Sequence, residues 1–261
     1  MQRRAFLKTT AAAATAASFS PHLAAASIRR AKKALFVYGG WPGHKPEVFM
    51  KQMVPVLEGE GFDVVVSDAL DSYADADLMA TVDVVIQQWT MSKITNEQAN
   101  GLLAAIKNGT GMAGWHGGMG DAFREHTEYQ FMTGGQFVSH PGGQIDYTVN
   151  VVDNRDPIMD GIGDFEVKGT EQYYMHVDPN NHVLATTRFT AAHNADVGGA
   201  VMPVIWKRRY GKGRVFYNAI GHNPNDFDTP EVMTVTLRGI HWASQGKDAA
   251  TPLHVQAAYG S

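Results

Sequence analysis

Cysteine is absent from the 261-residue sequence. Disulfides, thiol catalysis and thiolate metal ligands are excluded together, so any metal must be held by nitrogen and oxygen. An excess of positive charge is missing as well. Lys and Arg number 22 against 26 Asp and Glu, a formal net charge of −4. That balance argues against non-specific nucleic-acid binding, for which a basic surface is expected. The one basic cluster, Lys207-Arg208-Arg209, falls in an expected hairpin and reads as a solvated face. No late apolar run is long enough to cross a bilayer, so no stable membrane anchor is expected. No repeat, linker or composition break divides the chain after its first residues.

Those first residues carry Arg3-Arg4 before Phe6, Leu7 and Lys8, then an Ala-rich apolar run that ends Ala24-Ala25-Ala26. A basic start, a short apolar stretch and an Ala-x-Ala site describe a secretory signal over residues 1–26. The paired arginines resemble the twin-arginine export signal, which implies a periplasmic or secreted protein. Residues 31–261 are then expected to form a single domain.

Ala34 to Tyr38 is apolar throughout and ends at Gly39-Gly40, the pattern of a parallel strand buried on both faces. Pro46 suits a first helical turn, and Phe49, Met50, Met53, Val54 and Leu57 recur at helical spacing; Pro55 predicts a kink. Phe62 to Val66, Val82 to Gln87 and Met112 to Trp115 read as further strands. Thr95 and Gln98 form a capping box for a helix over 96–108. Alternating strands and helices at these lengths predict an α/β fold: a flavodoxin-like parallel sheet flanked by helices. The second half is different. Ile145 to Val151 and Val183 to Thr187 alternate, and Gly211-Lys212-Gly213 joins two strands as a hairpin before a last helix at Thr229-Pro230. A mixed-strand region is therefore added to the parallel half.

Ten histidines lie beyond residue 26. His44, His116 and His222 each follow the carboxyl end of an expected strand beside glycines, the edge where ligands bind open α/β sheets. His126, His182, His193, His241 and His254 read as ordinary solvated side chains. Gly114-Trp115-His116-Gly117-Gly118 resembles a nucleophile elbow with histidine at the nucleophile's place, which removes acyl chemistry and leaves a base, an acid or a ligand. No nearby serine replaces it, so amide hydrolysis ranks low. Ser139-His140-Pro141-Gly142 is a loop that joins the same edge. Glu171 to His176 reads as one extended stretch, with Glu171, Tyr173 and Met175 on one face and Gln172, Tyr174 and His176 on the other.

These segments resemble the ThuA-like, trehalose-utilisation family, whose fold is similar to the class I glutamine-amidotransferase domain. The carriers are Gly114 to Gly117, Gly135-Gln136-Phe137 to His140-Pro141, Glu171 to Tyr174, and Tyr210 to Tyr217 running into Gly221-His222. The resemblance implies carbohydrate metabolism, often with 3-keto-glycosides, and an ion in some relatives. It assigns functional positions to His116, Glu171 and His222. Where many relatives place Asp-His-Pro this chain has Val201-Met202-Pro203, so no role attaches to a histidine there.

The expectation is a crevice in which His44, His116, Glu171, His176 and His222 converge, with Trp41, His44, His140, Tyr173 and Tyr174 against a sugar. His116 or Glu171 is the expected base, and His116, His176 and His222 the expected ligands of a divalent metal, zinc first and manganese if carboxylates dominate. The chemistry is metal- or imidazole-assisted enolisation of a keto-sugar or 3-keto-glycoside, leading to isomerisation, elimination or hydrolysis. A non-catalytic exported sugar-binding protein is the alternative.

Overall fold

The computed structural model describes residues 30–248; the expected leader and His254 lie outside them. β1 (Lys32–Gly40) buries Ala34 to Val37 completely and lies between β2 (Phe62–Ser67) and β3 (Val84–Thr90), parallel to both. β4 (Gly111–Trp115) extends the parallel set, and β11 (Gly213–Asn218) joins it in parallel from far along the chain. The order β2-β1-β3-β4-β11 is flavodoxin-like at its start. Beyond β11 the sheet turns antiparallel through β10 (Val201–Tyr210), β9 (His182–Arg188), β6 (Gln144–Val151) and β7 (Phe165–Glu171), nine strands in all. β5 (Gly135–Ser139) and β8 (Tyr174–Val177) pair separately.

Helices cover the sheet. α1 (Pro46–Gly59) runs through Pro55 and buries Phe49, Met53 and Leu57 at four-residue spacing; each buried side chain stabilises by about 2 kcal/mol. α2 (Ala76–Thr81) is capped by Asp75, and α3 (Asn96–Lys107) has the expected Thr95/Gln98 capping box. α4 (His116–Gly120) is a single short turn directly after β4, α5 (Thr127–Thr133) starts on a cap from His126, and α6 (Pro230–Ser244) closes the described fold.

Three features depart from the sequence reading. Glu171 to His176 is not one extended stretch: β7 ends at Glu171 and β8 begins at Tyr174, with Gln172 and Tyr173 between. Lys207 and Arg208 are not a solvated face, because both are buried in β10, the first paired with Asp156 and the second with Asp178 at 3.0 Å. Leaving either cation unpaired would be costly, so the acidic partners explain the placement. Finally, β7 bulges against β6. Ile145 pairs with Thr170 but Tyr147 with Val167, two steps on one strand against three on the other. Gly169, at φ 58°, turns the extra residue and donates its N–H to Asp146 Oδ1 at 2.8 Å.

Candidate metal and sugar site

The carboxyl ends of the parallel strands deliver the site. β1 leads through a 3₁₀ turn to His44, β3 ends at Thr90, β4 turns into His116, and the chain after β11 supplies Ala219 and His222. β7 brings Glu171 from the antiparallel half. Thr170 next to it donates to Asp226 Oδ2 at 2.6 Å, and that oxygen also accepts from the Asn223 N–H at 3.0 Å, so β7 is tied to the loop that carries His222.

His116 takes φ 46°, a left-handed conformation that costs an L-residue about 1 kcal/mol or more. That turn aims its ring into the crevice, as the elbow comparison predicts. Gly117 follows because a Cβ there would lie 2.3 Å from His44 Cε1 and 3.0 Å from the Tyr173 hydroxyl. Tyr173 stacks on His116 with ring centroids 3.9 Å apart.

His44, His116, Glu171 and His222 form a buried cluster able to hold a metal ion, with one ligand atom from each lying within 4.8 Å of the others. Glu171 Oε2 is 3.1 Å from His116 Nε2, 3.2 Å from His222 Nδ1 and 4.0 Å from His44 Nε2. Its other oxygen, Oε1, faces the half-buried His140, whose Nε2 is 3.6 Å away. The carboxylate thus has an inner oxygen among imidazoles and an outer one at the opening.

Hydrogen bonds fix the protons. The Ala219 carbonyl can only accept, so His116 Nδ1 donates to it at 2.8 Å. Burial, foremost, keeps His116 neutral, and a neutral ring with its proton on Nδ1 turns a bare Nε2 lone pair on Glu171. Burial also opposes the charged form of Glu171, and protons turned to it by His116 and His222 would hold the carboxyl well below the usual range, but His116 with its proton on Nδ1 turns none. Two acceptors then face each other 3.1 Å apart, an arrangement that a cation between them satisfies. His44 is likewise neutral, pushed down to about 3 by burial and then by His116 and His222, and its Nδ1 meets the Thr90 hydroxyl at 2.9 Å.

His222 is different. Lys45 Nζ donates to Asn223 Oδ1 at 3.0 Å, Asn223 Nδ2 to Gln144 Oε1 at 3.1 Å, and Gln144 Nε2 to His222 Nε2 at 3.1 Å. A lysine only donates, so this chain runs one way and leaves the His222 proton on Nδ1, directed toward Glu171. The tautomer suits a donor to the carboxylate better than the metal ligand expected from the sequence.

Other expectations fare unevenly. Trp41 stands at the rim, 44% exposed, edge-on to His44 at 4.9 Å. Tyr174 packs on Phe189, away from the imidazoles. His176 is exposed on β8 opposite Gln136 and is not among the cluster's ligands, so the expected ligand role fails. The strand break after Glu171 does not rescue it, because Tyr173 and Met175 turn inward. His116 is fully buried, with Nδ1 spent on the Ala219 carbonyl and its bare Nε2 turned to Glu171. Thr90, Gln144 and Ala219 were invisible in sequence. So was Gln88, a buried amide against Gly118, with both of its amide atoms lacking a hydrogen-bond partner. A second acidic group, Asp153, Asp156 and His182, is already occupied by the ammonium of Lys207.

The neutral His44 makes a prediction for protein stripped of metal. Its proton affinity falls on folding, from an ordinary 6.5 to about 3, so between those pH values the unfolded chain binds a proton that the folded chain does not. Stability is therefore lost as pH drops through that window. Urea titrations at pH 7 and pH 4 should differ by up to about 4 kcal/mol in unfolding free energy, with the wild type losing more than His44→Gln. Equal losses in the two proteins would contradict a neutral buried His44.

Three imidazoles and a carboxylate gathered at the carboxyl edge of a parallel sheet define an α/β protein with a candidate metal centre. Residues 33–243 match the model of the ThuA family, described as trehalose utilisation, and the chain belongs to that family. Membership implies a carbohydrate-related role. Two solved structures described as putative thua-like proteins share the fold, one from Bacteroides uniformis ATCC 8492 and one from Parabacteroides merdae ATCC 43184. Their TM-scores are 0.69 and 0.68 at 16% and 18% identity, covering 91% and 88% of this chain and 98% and 96% of theirs. A β-galactosidase from Bacillus circulans sp. alkalophilus resembles 86% of this chain over 32% of its own length, with TM-score 0.53 and 15% identity. At these identities the likeness is one of fold. No curated protein matches the chain.

Proposed function

We propose that the chain is an exported enzyme that enolises a keto-sugar or 3-keto-glycoside with the help of a divalent ion. The observation that carries this reading is the split carriage of Glu171, one oxygen among imidazoles and one facing His140. His44 Nε2, His116 Nε2 and Glu171 Oε2 are the atoms that would hold the ion, with His222 Nδ1 3.2 Å from the carboxylate. Neighbouring donors of a tetrahedral zinc lie about 3.3 Å apart; Oε2 is 3.1 Å from His116 Nε2 and 4.0 Å from His44 Nε2, so His44 would have to draw in. Three protein ligands with one position open is the donor count of catalytic rather than structural zinc, and zinc is favoured over manganese by the imidazoles. When bound, the ion supplies an electrophile for the sugar carbonyl.

The chain's own groups do the rest. His140 Nε2 removes the proton from the carbon next to the carbonyl, and Glu171 Oε1, 3.6 Å from that nitrogen, stabilises the imidazolium that forms. The electron pair of that C–H bond moves into the new C=C bond, and the carbonyl oxygen takes the negative charge. Return of the proton to the neighbouring carbon isomerises the sugar; loss of a glycosidic oxygen from the β-carbon is elimination. Trp41 at the rim suits stacking on the sugar ring. Arg3-Arg4 motivates the export assignment, and Arg3→Lys with Arg4→Lys should leave precursor in the cytoplasm.

The test is deuterium uptake next to the carbonyl of 3-keto-glycosides in D2O, followed by NMR with zinc-loaded protein. Uptake that a chelator abolishes is the expected result. Binding without uptake would replace the enzyme by the non-catalytic sugar-binding protein, and a metal-free protein that turns over unchanged in chelator would remove the ion.

A further inference from the structure

Among the described residues five that are not glycine have φ in the left-handed region: Lys45, Met91, Ser92, His116 and Phe123. Lys45 and His116 belong to the histidine centre. The other three build a second wall, where the chain after β3 meets the chain after α4. Met91 N–H donates to the Asp121 carbonyl at 2.8 Å, and Phe123 N–H donates back to Met91 at 3.3 Å. Strained backbone of this kind persists where surrounding structure over-determines it, commonly at ligand sites. What the wall holds in place is Arg124.

Asp121, 2% exposed, accepts from Arg124 Nε at 2.5 Å and from Nη2 at 2.8 Å. The guanidinium lies 5.5 Å above the Phe137 ring. Phe137 is 4.5 Å from Tyr173, which stacks on His116. Arg124 is therefore separated from the imidazoles by two rings, and it remains about half exposed. The bidentate pair uses one edge of the guanidinium. Its outer edge, both hydrogens of Nη1 and one of Nη2, has no acceptor among the described residues.

We propose that this edge anchors a second subsite, gripping two neighbouring hydroxyls on the far unit of a two-unit glycoside whose keto unit sits at the histidines. The inference rests on the sugar reading given above. A fork of parallel N–H groups matches two adjacent oxygens. Asp121 cancels the charge, so the fork offers donors without a net positive field, which favours neutral hydroxyls over a carboxylate. Between the two anchors lie the Phe137 and His140 rings, 5.8 Å apart and within 29° of parallel, surfaces suited to the C–H face of a sugar.

The experiment measures calorimetric dissociation constants of zinc-loaded full-length protein for a keto-monosaccharide and for the corresponding 3-keto-disaccharide. Wild type should favour the disaccharide by about tenfold or more. Arg124→Met should bring that ratio close to one with zinc content unchanged, and Arg124→Lys, which keeps charge without a fork, should not restore it. A preserved ratio in Arg124→Met, with only a lower Tm, would make the Asp121–Arg124 pair structural and overturn the subsite. Tighter binding of a carboxylated disaccharide than of the neutral one, retained by Arg124→Lys, would overturn it in favour of an anion site. If wild type binds neither sugar, the sugar reading itself falls and this proposal with it.

Discussion

His116→Ala is expected to strip the protein of zinc, lowering affinity by at least about 100-fold, and to abolish deuterium uptake with it. The ring is the only one of the three whose proton is fixed by a backbone carbonyl, so its Nε2 lone pair is available before any ion arrives. Its removal leaves His44 and Glu171 as a two-ligand set, too few to compete with chelating buffer. Unfolding should stay cooperative, because the core beneath, around Trp115, Phe36, Phe49 and Phe227, is untouched. His116→Gly is the informative control. At φ 46° glycine relieves the left-handed cost, so it should be about 1 kcal/mol more stable than the alanine variant while equally poor in metal. Stoichiometric zinc in His116→Ala after mild dialysis would remove His116 from the ligand set.

His140→Ala should behave in the opposite way. Zinc content remains, while the rate of proton exchange at saturating sugar falls by about 10²–10⁴-fold, the usual contribution of one positioned acid or base. His140 faces the outer oxygen of Glu171 and is not one of the residues of the ligand cluster, so metal and proton transfer separate at this carboxylate. Loss of zinc in His140→Ala, or unchanged exchange, would assign the proton to another group.

The strand-end histidines were legible because the residues around them announce their position. An apolar run, then glycine, then histidine is read the same way at His44, His116 and His222, and the parallel sheet makes those ends neighbours. The flavodoxin-like half was equally legible from Ala34 to Tyr38 and from the Thr95/Gln98 cap. What could not be read were partners set by long-range contact. Nothing near Ala219 marks its carbonyl as the acceptor for His116, and the one-way chain from Lys45 to His222 joins segments that meet only in the fold. His176 failed for a local reason: period-two counting puts it on the face opposite Glu171, Tyr173 and Met175, and the structure keeps those three buried and His176 exposed. Lys207 and Arg208 failed because the sequence does not reveal that Asp156 and Asp178 wait inside.

The bulge at Gly169 makes the aim of Glu171 a matter of counting. In an antiparallel pair, opposed residues project to the same side, and Val167 and Thr170 share a side with Tyr147 and Ile145. Glu171, opposite Gln144, therefore projects to the other side, toward the imidazoles. By simple alternation it would have shared the side of Val167; the inserted residue reverses it. A β7 that kept all seven residues but paired without the bulge would present its carboxylate to the wrong side of the sheet, whereas a chain lacking Gly169 would still set Thr170 opposite Ile145 and Glu171 opposite Gln144. The centre is thus built on an odd–even choice, and holding one residue out of the count at Gly169, whose φ of 58° favours glycine, is what keeps Thr170 and Glu171 in step with β6.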